Sequence, residues 1–151
     1  SQATTLRARQ QLVPAHTSAH HAIAGMAAMY DGMAALLARD EDFDVAAVEA
    51  AAAAMDASLI AERAAIALER ASLRRSDPTY AVASQVMDTR TAFASANERA
   101  RNELRAAAQA ARAGTSTMRS RDAHVVVLGE LEYEYQRLGR QQMDLMAQLT
   151  R

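Results

Sequence analysis

The sequence predicts an all-α domain, an antiparallel up-and-down four-helix bundle with long helices, and three observations carry that prediction. Hydrophobic residues make up 50% of the 151-residue chain but aromatics only 4%; much of the remainder is alanine, the strongest helix former. Five glycines and two prolines leave too few turn residues for a multi-stranded sheet. Apolar residues recur at alternating steps of three and four, the spacing of helices packed nearly parallel to one another. A chain of this length forms one core, so 1–151 is read as a single domain.

The first helix carries Leu12, His16, Ala19, Ile23, Met26, Tyr30, Met33 and Leu37 on one stripe and is expected to run to about Arg39. Pro14 is either a kink within it or part of its first turn, in which case Gln2 to Val13 form a separate lead-in. Asp40, Glu41, Asp42, Phe43 and Asp44 make an acidic break, with Asp44 placed to cap the next helix. That second helix bears Val45, Val48, Ala52, Met55, Leu59, Ile66 and Leu73 and stops near Ser76, with Arg70, Arg74 and Arg75 at its negative pole. Ser76-Asp77-Pro78 marks the next start, since Asp or Ser caps free amides and Pro tolerates the first helical position. The third helix is expected to begin at Pro78 and to bury Val82, Val86, Phe93, Ala96, Ala100, Leu104, Ala107 and Ala111. Gly114 ends it, and Thr115, Ser116 and Thr117 supply the turn. The last helix runs from Met118 to near the C-terminus on Val125, Leu128, Leu131, Tyr135, Leu138, Gln142, Leu145 and Leu149. A strand over Val125 to Tyr135 is its rival, because that stretch is β-branched and then alternates with period two; a lone strand would have no partner.

Seventeen basic against eighteen acidic residues give a net charge of -1, so no basic footprint points to nucleic acid. All the basic residues are arginine, as codon usage in a GC-rich genome produces. The alternative is an effector delivered into a eukaryotic cell, where lacking lysine evades ubiquitin attachment. The absence of cysteine excludes disulfides, thiolate ligands and a cysteine nucleophile. No apolar run approaches the roughly 20 residues of a membrane span. A chain opening at Ser1 without methionine is expected to have been trimmed or excised from something longer. A cytoplasmic location is favoured, or a periplasmic one for a receptor fragment.

His16 and His20, one turn apart with His21 adjacent, have a spacing that chelates zinc or copper on a helix. Without thiolates or a Glu-x-x-His repeat they are read as His16 lining the bundle end and His20 or His21 facing water, and no metal is expected. Met26, Met29 or Met33 with His124 matches an axial haem pair only superficially, since no attachment motif accompanies them, and no cofactor is expected. Glu62 and Glu69 fall on the buried stripe of the second helix if a strict heptad is kept, and buried paired carboxylates can be catalytic. A 3.6-residue period instead turns both to the solvated edge, which is the expectation here. With no phosphate loop or nucleophile elbow, no enzymatic chemistry is expected.

Met33 to Ile66, in which Met-Ala-Ala-Leu-Leu-Ala-Arg-Asp-Glu-Asp-Phe-Asp precedes an alanine-rich helix ending Leu59-Ile60-Ala-Glu-Arg-Ala-Ala-Ile66, resembles the export chaperones of the FlgN type. The resemblance covers about a third of the chain. It implies a small helical bundle that holds flagellar subunits before secretion, and it carries over no binding residues. The function expected is therefore a non-enzymatic helical-bundle interaction protein, a bacterial secretion chaperone or adaptor, with a protein partner or homodimer. Its docking surface is placed on the last helix at Val126, Val127, Tyr133 and Met143, which exceed what one seam needs. The alternatives are the extracytoplasmic four-helix ligand-binding domain of a transmembrane receptor, and a membrane-targeting bundle whose arginines engage anionic lipid.

Overall fold

The structure, a computed structural model, describes residues 1–38 and 42–150. Arg39, Asp40 and Glu41, where the first predicted helix ends and the acidic break begins, lie outside the described residues, as does Arg151. The fold is all-helical: 82% of what is described is helix, with no strand among it. Among the described residues five helices follow one another, α1 (Gln2–Gln10), α2 (Ser18–Leu37), α3 (Val45–Ala71), α4 (Tyr80–Arg112) and α5 (Met118–Leu149). Val125 to Tyr135 thus belong to a helix.

The helix beyond the expected four is α1. Pro14 lies in the turn after it, and α2 starts only where the Thr17 side chain accepts from the His20 amide, so the lead-in forms as a helix of its own. Leu12, expected on the first stripe, is 86% exposed as a result. The other boundaries follow local chemistry. Asp44 caps α3, accepting from the Ala47 amide at 3.1 Å. Asp77 does not cap a helix; its carboxylate accepts from the Thr79 amide and hydroxyl at 2.8 and 2.7 Å, closing a turn that carries Pro78 and delays α4 to Tyr80. Gly114, at φ 74°, ends α4 with the Thr115 amide donating to Ala110 and its own amide to Ala111, the paired closure a left-handed residue makes possible. Thr117 and Ser120 cap α5 reciprocally.

Side-chain bonds fix the helix directions. Arg112 with Glu49, Arg101 with Asp56, Arg63 with Glu98 and Arg70 with Asp88 run in opposite order along α3 and α4, which are therefore antiparallel. Ser18 with Glu69 and Gly32 against Ala51 orient α2 against α3 in the same way, and Glu103 with His124 and Asn97 with Tyr135 do so for α4 and α5. Arg7 with Asp31 and Gln10 with His20 set α1 antiparallel to α2, the one helix on which it packs. By contrast α2 and α4 run parallel and touch closely: a Cβ on Gly32 would come 2.6 Å from a methyl of Leu104, and one on Gly25 would come 2.9 Å from the Asn97 amide. The main core lies between α2, α3, α4 and α5 around Met29, Leu36, Met55, Leu104, Leu128 and Leu138. No described helix is long and apolar enough to cross a membrane.

Candidate ligand-binding groove

On the buried side of α2, Ser18, Ala22, Gly25, Met29, Gly32 and Leu36 alternate by four and three, with Ala27 and Ala28 buried beside them. This series lies one position ahead of the stripe expected from the larger residues. At Gly25 and Gly32 α2 approaches α4 so closely that a Cβ would collide with Asn97 or Leu104, while Met29 and Leu36 fill the core between and beyond them. The larger residues of the expected stripe, Ile23, Met26 and Tyr30, are half-buried and face a groove of about 1020 Å³ instead. The groove lies where α2 and α5 make little contact. Leu6 of α1 and Val13 line one edge and Met143 and Met146 of α5 the other. The floor includes Phe93, Tyr135 and Glu62, with the Phe93 and Tyr135 rings stacked 6.3 Å apart and 11° from parallel.

Polar groups on this floor form a buried chain. The Tyr135 hydroxyl donates to Oδ1 of Asn97 at 2.5 Å. Asn97 donates through Nδ2 to Oε1 of Glu62 at 3.1 Å and to the Ala22 carbonyl at 3.4 Å. Glu62 is 0% exposed, and its Oε2 has no hydrogen-bond partner among the described residues. Burial pushes the Glu62 carboxyl up to about 7, against the opposing pull of the Asn97 bond and Arg63. Burial also raises the Tyr135 phenol, with the Glu62 charge adding to the effect. At the rim Tyr30 donates to Glu132 at 2.5 Å, and burial followed by that bond raises its phenol too.

Thus α3 keeps the strict heptad through Val48, Ala52, Met55, Leu59, Glu62 and Ile66, all buried, and Glu62 lies inside instead of at the solvated edge where it was expected. Glu69, one heptad on, is half-buried. It accepts from the Ser18 amide at 2.8 Å and the Ser18 hydroxyl at 2.7 Å, and Arg90 reaches it at 3.4 Å. It therefore closes the first turn of α2, where free amides favour a negative charge. The two carboxylates thus have separate partners. Asn97 and Tyr135 were missed as polar partners because both read as ordinary positions on amphipathic helices.

The histidines do not gather. His16 lies outside any helix, so no helical turn presents it with His20. His20 is half-buried, not facing water; its Nδ1 lies 3.2 Å from the Gln10 and Val13 carbonyls, which ties the end of α1 to α2. Its ring meets that of His21 edge-on at 5.3 Å, and burial lowers the His21 imidazole. Met29 is core while His124 bonds Glu103 at 2.6 Å, so each of these two groups of the superficial haem match has another role. No group of three His, Asp or Glu among the described residues is arranged to hold a metal ion.

The docking residues expected on α5 divide among three faces. Val126 and Tyr133 are 60% and 77% exposed and share the outer side, seven residues apart. Val127 is half-buried and packs on the main core. Met143, 73% exposed, stands on the groove edge beside Met146. Comparison with protein-family models, with curated proteins and with solved structures finds no match to this chain.

Proposed function

We propose that this chain is a binding protein without catalytic chemistry of its own, a four-helix bundle formed by α2 to α5 with α1 as an added flank, which takes a ligand in the groove between α2 and α5. The observation that carries this reading is the placement of Ile23, Met26, Met143 and Met146 along a groove of about 1020 Å³. Small-ligand sites are concave, mostly apolar, and carry a few polar groups at fixed points, at volumes of roughly 300–1,000 Å³. Methionines suit such a wall because their unbranched side chains adapt to what they contact. This is the chemistry expected of a ligand-binding sensor bundle. Titration with the neutral apolar dye N-phenyl-1-naphthylamine tests it: saturable one-to-one fluorescence enhancement is expected. Gly139 lines the groove, and a Cβ there meets nothing within 4 Å, so Gly139→Leu should abolish the signal while leaving the helical spectrum intact. Absence of saturable binding to the parent protein would overturn the reading.

The second reading is a helical-bundle chaperone or adaptor docking a protein through α5, supported by Val126 and Tyr133 on its outer side. Charge substitution at both residues should then abolish partner capture, whereas a groove ligand would be unaffected. Capture that survives both substitutions counts against this second reading.

A further inference from the structure

We infer that the groove binds a small amphiphilic amine, whose ammonium group donates to Oε2 of Glu62 and whose apolar body lies along Phe93, Ile23 and Met26. The inference rests on the groove being a ligand site and adds the chemical class of the ligand. Glu62 lines the floor, is wholly buried, and offers an acceptor that no described residue satisfies; a buried carboxylate oxygen without a donor is a costly arrangement that a bound cation relieves. The charged and titratable groups around the groove are of both signs, and among the described residues Glu62 carries the buried acceptor oxygen left without a partner. Arg90 of α4 is held through Nη1 by Ser18 and Glu69 while its buried Nε has no partner among the described residues, and Arg9 belongs to α1. Glu132 of α5 adds a second carboxylate, bonded to Tyr30 of α2, while Tyr135 faces Asn97 and Arg63 of α3 is exposed and paired with Glu98.

The volume selects a small molecule over a peptide. A helix with side chains is about 10 Å across and rises 5.4 Å per turn, so a groove of this size would hold only about two turns of one. A chain of roughly a dozen carbons with a terminal amine fits within it, its chain against apolar walls and its headgroup at the polar floor.

The experiment compares dodecylamine, dodecanol and dodecanoate, each below its aggregation threshold, as competitors of N-phenyl-1-naphthylamine on the intact chain at pH 7. The amine is expected to bind roughly tenfold or more tightly than the alcohol, as a charge-assisted bond in a buried site provides, and the carboxylate more weakly than either. Glu62→Gln, checked for unchanged helical content, should equalise amine and alcohol while dye binding persists. Calorimetry in buffers of different ionisation enthalpy should show up to about half a proton released per amine bound at pH 7, because Glu62, with a carboxyl pushed up to about 7, loses its proton on meeting the cation. Equal affinities for amine and alcohol, tighter binding of the carboxylate, or a preference that survives Glu62→Gln would each overturn the inference and leave the groove reading standing. Failure of the dye and all three amphiphiles to bind would remove the groove reading as well.

Discussion

Replacing Glu62 by glutamine should abolish a pH dependence of stability that one buried carboxyl imposes on the whole fold. Burial raises this carboxyl from 4.5 to about 7. Below about pH 4.5 the group is protonated in folded and unfolded chains alike and contributes no difference. Between 4.5 and 7 the folded chain retains a proton that the unfolded chain has released, so stability falls as pH rises. Above 7 both states are ionised and the deficit is complete. At about 1.4 kcal/mol per unit the shift amounts to about 3 kcal/mol, a large share of the 5–15 kcal/mol typical of a domain. Glutamine keeps the shape and an acceptor for Asn97 but cannot ionise. Its stability relative to the parent should therefore rise by about 3 kcal/mol between pH 4.5 and 8, whatever fixed offset its amide adds. Urea unfolding followed at 222 nm, at half-unit pH steps on both proteins, measures that difference, and groups common to both cancel. A difference that stays constant within about 0.5 kcal/mol across the range would show that Glu62 titrates as it does in water, and that the groove floor is not the dry environment described above.

Other substitutions probe the packing. Phe93→Ala removes a buried ring and its stack on Tyr135 and should destabilise by about 3–5 kcal/mol in urea unfolding; a variant as stable as the parent would mean the ring is not core. Asn97→Ala strips partners from both Tyr135 and Glu62 and should cost at least about 2 kcal/mol by the same assay. Gly32→Ala forces a methyl to within 2.6 Å of Leu104 and should cost about 1–3 kcal/mol. Gly129→Ala, where a Cβ meets nothing within 4 Å in mid-helix, should instead stabilise by about 1 kcal/mol, so equal melting shifts for the two glycines would contradict the close approach of α2 and α4. Val127→Ala should cost about 1 kcal/mol as a half-buried core neighbour, and Val126→Ala less than about 0.5 kcal/mol as a surface position.

The buried faces of α4 and α5 were legible in the sequence. On α4, Val86, Phe93, Ala96, Ala100, Leu104 and Ala107 are buried as their spacing predicts, and on α5 so are Leu128, Leu131, Tyr135, Leu138 and Leu145. Helix ends were legible as well where one residue sets the geometry: Asp44 has a carboxylate in reach of free amides, and Gly114 adopts a positive φ that other residues avoid. The phase of α2 was not legible. Side-chain size singles out Ile23 and Met26, whereas part of the inside of that helix is chosen by what lets two backbones approach, and Gly25 and Gly32 have no side chain to announce it. The burial of Glu62 was read only as the alternative that a strict heptad allows, because nothing near it in the sequence favours that register. Its partner Asn97 lies 35 residues away, and Tyr135 a further 38 beyond that, so their meeting exists only once the helices are paired.

These two departures have one origin. Because glycines let α2 approach α4, Ile23, Met26 and Tyr30 stay half-buried, Met26 and Tyr30 packing against the main core, and α5 meets α2 too sparsely to cover them. Asn97, at that close approach, then bonds Ala22 of α2, Glu62 of α3 and Tyr135 of α5 at once. One amide thus joins four helices at the level where the groove is floored. A bundle selected for stability alone would fill this position with leucine and close α5 over Ile23 and Met26, since an incompletely satisfied polar cluster in a core is worse than an apolar one. A buried carboxylate beneath an apolar groove is the kind of local inconsistency that marks a functional site, and it is why the proposed ligand contact is placed at Glu62.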